Sequence, residues 1–290
     1  MTLTLDCNGR PLVLGRPCVM GVLNVTPDSF SDGGRCLSVD AALKRAQKMW
    51  AEGAAILDIG AESTRPGAPE VTLKEELRRL LPVLEAVAAE VPLPISVDTS
   101  KAAVMRAAWS LGAGLMNDVT ALRGDPLALR TVVDLDIPVC LMHMRGTPRN
   151  MQRDTAYTDV VAEVRDFLSE RIACCLAAGI PRQRLLIDPG FGFAKNLAAN
   201  RRVLRHLDAF AGLGFPMLVG LSRKRMIGEW SGVEEASARV AGSVAAALWA
   251  VEHGASVVRV HDVAETVQAL RVWHRMRQGE EEIHPDEGAA

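Results

Sequence analysis

Eight short apolar runs, nearly every one ending in a polar or ionisable residue, recur along the chain between longer stretches of helical pattern. They are CVMGVLN (18–24), AAILDIG (54–60), PISVDTS (94–100), LMNDVT (115–120), IPVCLMH (137–143), RLLIDPG (184–190), PMLVGLS (216–222) and SVVRVH (256–261). The runs are continuous rather than alternating, as in strands buried on both faces. Between them, segments such as VDAALKRAQKMWAEG and VTLKEELRRLLPVLEAVAAE read as helices. Thr72-x-x-Glu75 predicts a capping box at the start of the second, and Asp262-x-x-Glu265 resembles one before the last helix. There Val263, Val267 and Leu270 follow at i, i+4, i+7, the spacing of a helix buried on one face. Eight strand–helix units in 290 residues predict an α/β fold, a (β/α)8 TIM barrel. The competing doubly wound sheet lacks a G-x-G-x-x-G after its first strand. Leu3 to Leu5 and Leu12 to Leu14 flank Asn8-Gly9, a hairpin signal, so an N-terminal β-hairpin is expected to close the barrel bottom. Residues 1–277 are expected to form this single barrel domain, with 278–290 an acidic tail too poor in apolar residues to order.

Composition narrows the function classes. Hydrophobic residues make up 49% of the chain, enough for a large core. A net charge of −2 offers no general attraction to nucleic acid or to an anionic membrane. No apolar run approaches the roughly 18 residues of a spanning helix, and the N-terminus lacks the apolar core of a signal peptide. Cys7, Cys18, Cys36, Cys140, Cys174 and Cys175 show no C-x-x-C spacing and read as reduced thiols of a cytoplasmic protein.

A barrel carries its chemistry at the C-terminal ends of its strands. In order those ends hold Asn24, then Glu62-Ser63-Thr64-Arg65, Asp98, Asn117-Asp118, His143, Asp188, Ser222-Arg223-Lys224, and Arg259 with His261. One such residue is ordinarily a cap or a loop residue; eight strands ending this way at one mouth read as a site. Asp98 and Asp188 lie within two residues of strongly apolar segments, where carboxylates need donors. A flat heterocycle with adjacent N–H groups would satisfy one in bidentate fashion, and Asn117 can donate to and accept from another edge. Asp98, followed by Thr99-Ser100-Lys101, reads equally well as the N-cap of the next helix. Arg65, Lys224, Arg259 and His261 form a cationic group that reads as a phosphate or diphosphate site, His261 standing just before a helix start. Arg259 interrupts an apolar strand, which argues against a surface salt-bridge cluster. His143 reads as a hydrogen-bonded structural residue. Neither the histidines nor the cysteines have tetrahedral zinc spacing, and no nucleophile elbow is present. The residues alone therefore suggest a nitrogen-rich heterocycle beside an anion, and displacement of a phosphate-type leaving group.

Eight longer motifs carry a resemblance. NVTPDSFSDGG (24–34), ESTRPGA (62–68), SVDTSK (96–101), NDVTAL (117–122), LMHMRG (141–146), DPGFGF (188–193), SRKRMIG (222–228) and RVHDV (259–263) occur in unbroken order between about residue 17 and 275. By them the chain resembles the bacterial dihydropteroate synthase family of the folate pathway. The resemblance implies that p-aminobenzoate displaces diphosphate from hydroxymethyl-dihydropterin diphosphate, with Mg2+ on the diphosphate, sulfonamides as competing ligands, and a homodimer. It implies a loose path in which diphosphate departs before the amine attacks. It places Asp98, Asn117, Met142, Asp188, Gly220 and Lys224 around the pterin. Asn24, Thr64, Arg259 and His261 fall at the diphosphate, with Asn24 also reaching the metal and Thr64 bordering p-aminobenzoate. Phe30, Arg65, Pro66, Phe193 and Ser222 surround p-aminobenzoate. Asp98, Lys224, Arg259, His261 and Asp32 are implied in catalysis, with Phe30 and Asp32 on a loop that closes over the site. Ala61 and Ala194 stand where the family usually has glycine, and were φ < 0 demanded there the loops would be stiffer. Two alternatives are a pterin-dependent methyltransferase barrel and a non-catalytic pterin-binding paralogue. The first has no use for the p-aminobenzoate loops or for Arg259 and His261, and the second is expected to have lost Thr64, Arg65 or Lys224.

Overall fold

A computed structural model describes residues 3–26, 39–65 and 67–278. Strands β1 (Thr4–Cys7) and β2 (Arg10–Val13) pair antiparallel across Asn8 and Gly9, both at positive φ, as a two-residue hairpin turn requires. The eight following strands are β3 (Cys18–Asn24), β4 (Ile56–Gly60), β5 (Ile95–Asp98), β6 (Leu115–Asp118), β7 (Val139–Met142), β8 (Leu185–Asp188), β9 (Met217–Val219) and β10 (Ala255–Val260). All pair in parallel and in chain order, and β10 closes on β3 to complete a barrel. The helices are α1 (Val39–Ala51), α2 (Leu73–Glu90), α3 (Ala102–Ser110), α4 (Ala128–Leu135), α5 (Val160–Ala177), α6 (Leu197–Arg205), α7 (Asp208–Ala211), α8 (Arg225–Ser231), α9 (Val240–Glu252) and α10 (Val263–Arg277). The predicted TIM barrel with an N-terminal hairpin is the observed architecture. No described helix is long and apolar enough to cross a membrane.

Both faces of each strand are covered, which is why the apolar runs are continuous. Outward residues such as Val19, Leu57, Ile95, Met116, Val139, Ile187 and Val258 pack on the helix layer. Inward residues Met20, Ile56, Leu115, Cys140, Leu186, Leu218 and Val257 form a bottom layer, which Leu5, Cys7 and Leu12 of the hairpin plug. Polar groups lock the plug in place. Asn8 Nδ2 donates to the carbonyls of Trp109 (3.0 Å) and Ala113 (3.1 Å), and Arg10 donates to those of Val91 (2.8 Å) and Leu93 (2.7 Å). Gly114 permits the close approach, because a Cβ there would lie 2.3 Å from the Cys7 carbonyl carbon. Gly114→Ala is therefore expected to destabilise the protein by about 1–3 kcal/mol, read by urea denaturation.

The first predicted capping box is half formed and the second is not formed. Thr72 Oγ1 accepts from the Glu75 N–H, but the Glu75 carboxylate takes Arg78 and Arg79, each at 2.7 Å. Asp262 caps nothing with its side chain and holds the Arg223 fork instead, with Nε 3.0 Å from Oδ2. In both, a charge-assisted bond to a guanidinium displaces a weaker one to a backbone N–H.

Candidate active site

Side chains alternate along a strand, so counting upward by twos from the plugged layer names the residues facing the mouth. Ile56 leads to Asp58 and Gly60, Leu115 to Asn117, Cys140 to Met142, Leu186 to Asp188, Leu218 to Gly220 and Val257 to Arg259. On β3 the same count runs from Met20 through Val22 to Asn24. A dry floor thus turns polar within one step.

At its centre Arg259 bridges two carboxylates. Its Nε lies 2.6 Å from Asp58 Oδ2 and its Nη2 3.2 Å from Asp98 Oδ2. Asp58 is fully buried, Asp98 is 8% exposed, and the arginine side chain is 21% exposed. Asn117 Nδ2 donates to the same Asp58 oxygen at 3.3 Å. Among the described residues, Asp58 Oδ1, Ser96 Oγ and Asn117 Oδ1 are buried on this wall with no hydrogen-bond partner. Burial pushes the Asp98 carboxyl up to about 7, with Asp58 and Asp118 adding to the effect and Arg259 opposing it. Asp98 does not cap α3, whose N-cap is Lys101, so the helix-cap reading of that carboxylate falls away.

Asp188 faces Asp98 across the mouth. Burial raises its carboxyl above the usual range, while Lys224 and the N–H of Gly190, 2.7 Å from Oδ1, hold it down. Lys224 is itself pulled down to about 8 by burial; its Nζ donates to the Phe191 carbonyl and lies 4.9 Å from the Phe193 ring centre. Met142 packs with Val119, Met144, Met151, Ala194 and Phe193 as an apolar wall beside them. Gly220 lies alongside Arg259, 3.9 Å separating its would-be Cβ from the arginine Cβ. The loop after β8 is fastened from below by Lys195, buried, with Nζ 2.8 Å from His143 Nδ1, 2.9 Å from the Gly190 carbonyl and 3.2 Å from that of Phe193. Burial and the Lys195 charge drive His143 down to about 2, so it is a neutral, hydrogen-bonded structural residue, as expected. Gly190 sits at φ +72°, and a Cβ there would fall 2.0 Å from the His143 carbonyl oxygen.

The expected cationic group looks different in three dimensions. Arg259 is committed to two carboxylates. His261 is held down to about 4, first by burial and then by Arg259 and Arg223, and is neutral at pH 7. Its Nδ1 lies 3.0 Å from Ser222 Oγ. Arg65 is exposed, next to Thr64 on the loop after β4. On the strands flanking β4, Asn24 Oδ1 and Asp98 Oδ2 approach Gly60 from either side, each 3.8 Å from where a Cβ would stand, with Asp98 Cβ at 3.4 Å. No group of three or more His, Cys, Asp or Glu suited to a metal is present among the described residues.

Glu62 does not face the mouth. It joins Lys101 (2.5 Å), which also holds buried Glu76 (2.6 Å), whose other oxygen accepts from Thr99 Oγ1 at 2.6 Å. This network ties the loop carrying Thr64 and Arg65 to α2 and to the end of β5. Asp118 likewise points outward and accepts from the N–H groups of Thr120 and Leu122. Ala194 corrects an expectation: it adopts φ +53° rather than demanding φ < 0, so the left-handed turn is retained with an alanine in it. Ala61 is buried. Phe30, Asp32 and Pro66 lie outside the described residues, as does the tail from 279.

Three contributors escaped the sequence reading. Asp58 was signalled only by a carboxylate in the middle of an apolar run, and a count by strand ends passes over it. Lys101 and Lys195 stand in loops where a lysine ordinarily faces water.

A model described as pterin binding enzyme matches residues 20–261. The dihydropteroate synthase of Escherichia coli strain K12 is 50% identical over 268 residues, covering 92% of this chain and 94% of its own. The structure of a Xanthomonas albilineans dihydropteroate synthase with 4-aminobenzoic acid is similar at a TM-score of 0.92 and 55% identity, covering 96% of this chain and all of that one. Solved in complex with 7,8-dihydropteroate, the Xanthomonas enzyme aligns at 0.87 and 53%, over 95% and 99%. A Yersinia pestis dihydropteroate synthase bound to a sulfonamide drug is similar at 0.90 and 49%, over 95% and 100%.

Proposed function

The chain belongs to the pterin-binding enzyme family and acts as a dihydropteroate synthase, and we propose that its barrel mouth divides that reaction between a carboxylate-lined pterin end and an anion end. The observation that carries the division is the wall of buried acceptors. Asp188, Asn117 and Asp98 face inward where a dihydropterin can supply N–H donors, and Asn117 Oδ1 is among the atoms lacking one. Asp188 takes the amino-pyrimidine edge in bidentate fashion, Asn117 and Asp98 take the other ring nitrogens, and Met142, Gly220 and Lys224 complete the pocket. Arg259, His261, Asn24 and Thr64 border the diphosphate. Arg65, Phe193 and Ser222, with Phe30 and Pro66, border p-aminobenzoate, where sulfonamides compete.

In the reaction the bond from the pterin methylene to the diphosphate oxygen breaks, and the aryl amine nitrogen forms the new bond and loses a proton. The amine is uncharged at neutral pH, so the site needs no strong base. Arg259 and the His261 N–H receive the departing charge. Asp32, outside the described residues, is assigned a part in catalysis by the family resemblance alone. Asn24, whose Oδ1 is a neutral hard oxygen beside Gly60, would hold a Mg2+ ion carried by the diphosphate. When bound, it would supply further charge neutralisation to the leaving group. We propose that the protein works in the cytoplasm as a homodimer, with which Trp249, 46% exposed on α9, is consistent.

Diphosphate release from hydroxymethyl-dihydropterin diphosphate tests the reading. Release should require both p-aminobenzoate and Mg2+, stop with EDTA, and match dihydropteroate in amount; binding without turnover would favour the non-catalytic paralogue. Asp188→Asn is expected to weaken pterin binding by about 10- to 100-fold in calorimetry, since a bond to a charged group contributes roughly 1.5–3 kcal/mol. Unchanged pterin affinity would remove Asp188 from the pterin pocket.

A further inference from the structure

Ser222 and His261 follow the ends of neighbouring strands β9 and β10, and a single hydroxyl makes two contacts to the histidine. Ser222 Oγ is 3.2 Å from the His261 backbone nitrogen and 3.0 Å from Nδ1 of its ring. A backbone N–H can only donate, so Oγ accepts from it. The second contact then has two possible directions. If Nδ1 carried the proton, the hydroxyl would accept twice and leave its own hydrogen without a partner at a site only 7% exposed. If Nδ1 is bare, the hydroxyl accepts from the backbone and donates to the ring, and every group is satisfied.

We propose that Ser222 is a positioning residue that fixes His261 as the neutral Nε2–H tautomer, so that the nitrogen turned away from the serine offers an N–H to the departing diphosphate oxygen. The role toward diphosphate rests on the synthase reading; the tautomer does not. The surroundings agree. Arg259, Arg223 and Arg65 are the cations and Asp262 the anion that act on this ring, and with its burial they keep it uncharged. The backbone is held as well: the His261 carbonyl accepts from Arg45 Nη2 at 2.7 Å, and Arg223 is paired with Asp262. Both the ring and its main chain therefore have fixed partners on α1, the β9–α8 loop and the start of α10.

The test is long-range 1H–15N correlation on ligand-free protein labelled at histidine, with His261 assigned by difference from His261→Gln. At pH 7.5 His261 should show a bare Nδ1 and a protonated Nε2. Ser222→Ala should mix the tautomers and lower kcat about tenfold. Ser222→Thr, which keeps the hydroxyl, should restore both spectrum and kcat. A proton on Nδ1 in the wild type overturns the proposal, whatever the variants do. So does a Ser222→Ala enzyme with unchanged His261 resonances and kcat but a raised KM for p-aminobenzoate. A wild type that shows the Nε2–H tautomer yet forms no dihydropteroate supports the tautomer and overturns the synthase reading instead.

Discussion

Arg259→Met is expected to destabilise the ligand-free protein by about 3–5 kcal/mol at pH 8, because it strands two buried carboxylates that share one guanidinium. Methionine fills much of the same volume, so cavity formation contributes little. What remains is Asp58, fully buried and left with only the Asn117 amide, and Asp98 beside it. The deficit should shrink as pH is lowered toward 5, since Asp98 escapes the penalty by taking up a proton. Urea denaturation of wild type and variant at pH 5, 6.5 and 8 reads this directly. A deficit below about 1 kcal/mol, or one independent of pH, would mean that solvent already stabilises these carboxylates.

Asp98→Asn is expected to do the opposite for stability while abolishing most of the activity. The Asp98 carboxyl is raised by burial from 3.8 to about 7 in the folded protein. Between those values the folded state holds a proton that the unfolded chain has released, so stability falls as pH rises through that window. The contribution is fully present below about pH 4 and lost by about pH 7. Asparagine cannot ionise, and its oxygen can still accept from Arg259. The variant should therefore have the higher Tm at pH 8 and show no gain at pH 4, with the wild-type decline between them flattened. Pterin affinity should fall at least tenfold, because the amide retains one acceptor where the carboxylate has two. Scanning calorimetry from pH 4 to 8 would contradict this if the two proteins kept a constant separation. Such an outcome would place the proton of the Arg259 network on another group. The expected pattern is a site whose buried charge lowers stability and serves binding.

Much of this protein follows from local periodicity. The eight continuous apolar runs specify strands covered on both faces, the Asn8-Gly9 turn specifies the hairpin, and Asn24, Asp98, Asn117, Asp188, Ser222, Lys224 and Arg259 could be placed near the mouth because each stands at a strand end. Side-chain partners and protonation states could not be read in this way. Asp58 and Arg259 are 201 positions apart and meet only because β10 closes on β3, bringing the last strand within reach of β4. Ser222 and His261 are 39 apart and meet for the same kind of reason. The sequence shows His261 and Arg259 as two cations; burial and neighbouring charge make the first neutral, and two carboxylates engage the second. Ala194 adopts a left-handed backbone that its side chain disfavours, because the surrounding packing and the Tyr157 hydroxyl on its carbonyl hold it there. The chain by itself thus determined most of the residues that line the mouth, Asp58 excepted, since strand and helix periods are local properties. Only the closed barrel decided which of them are paired, neutral or still in want of a partner, since those depend on distances and solvent exclusion between segments remote in sequence.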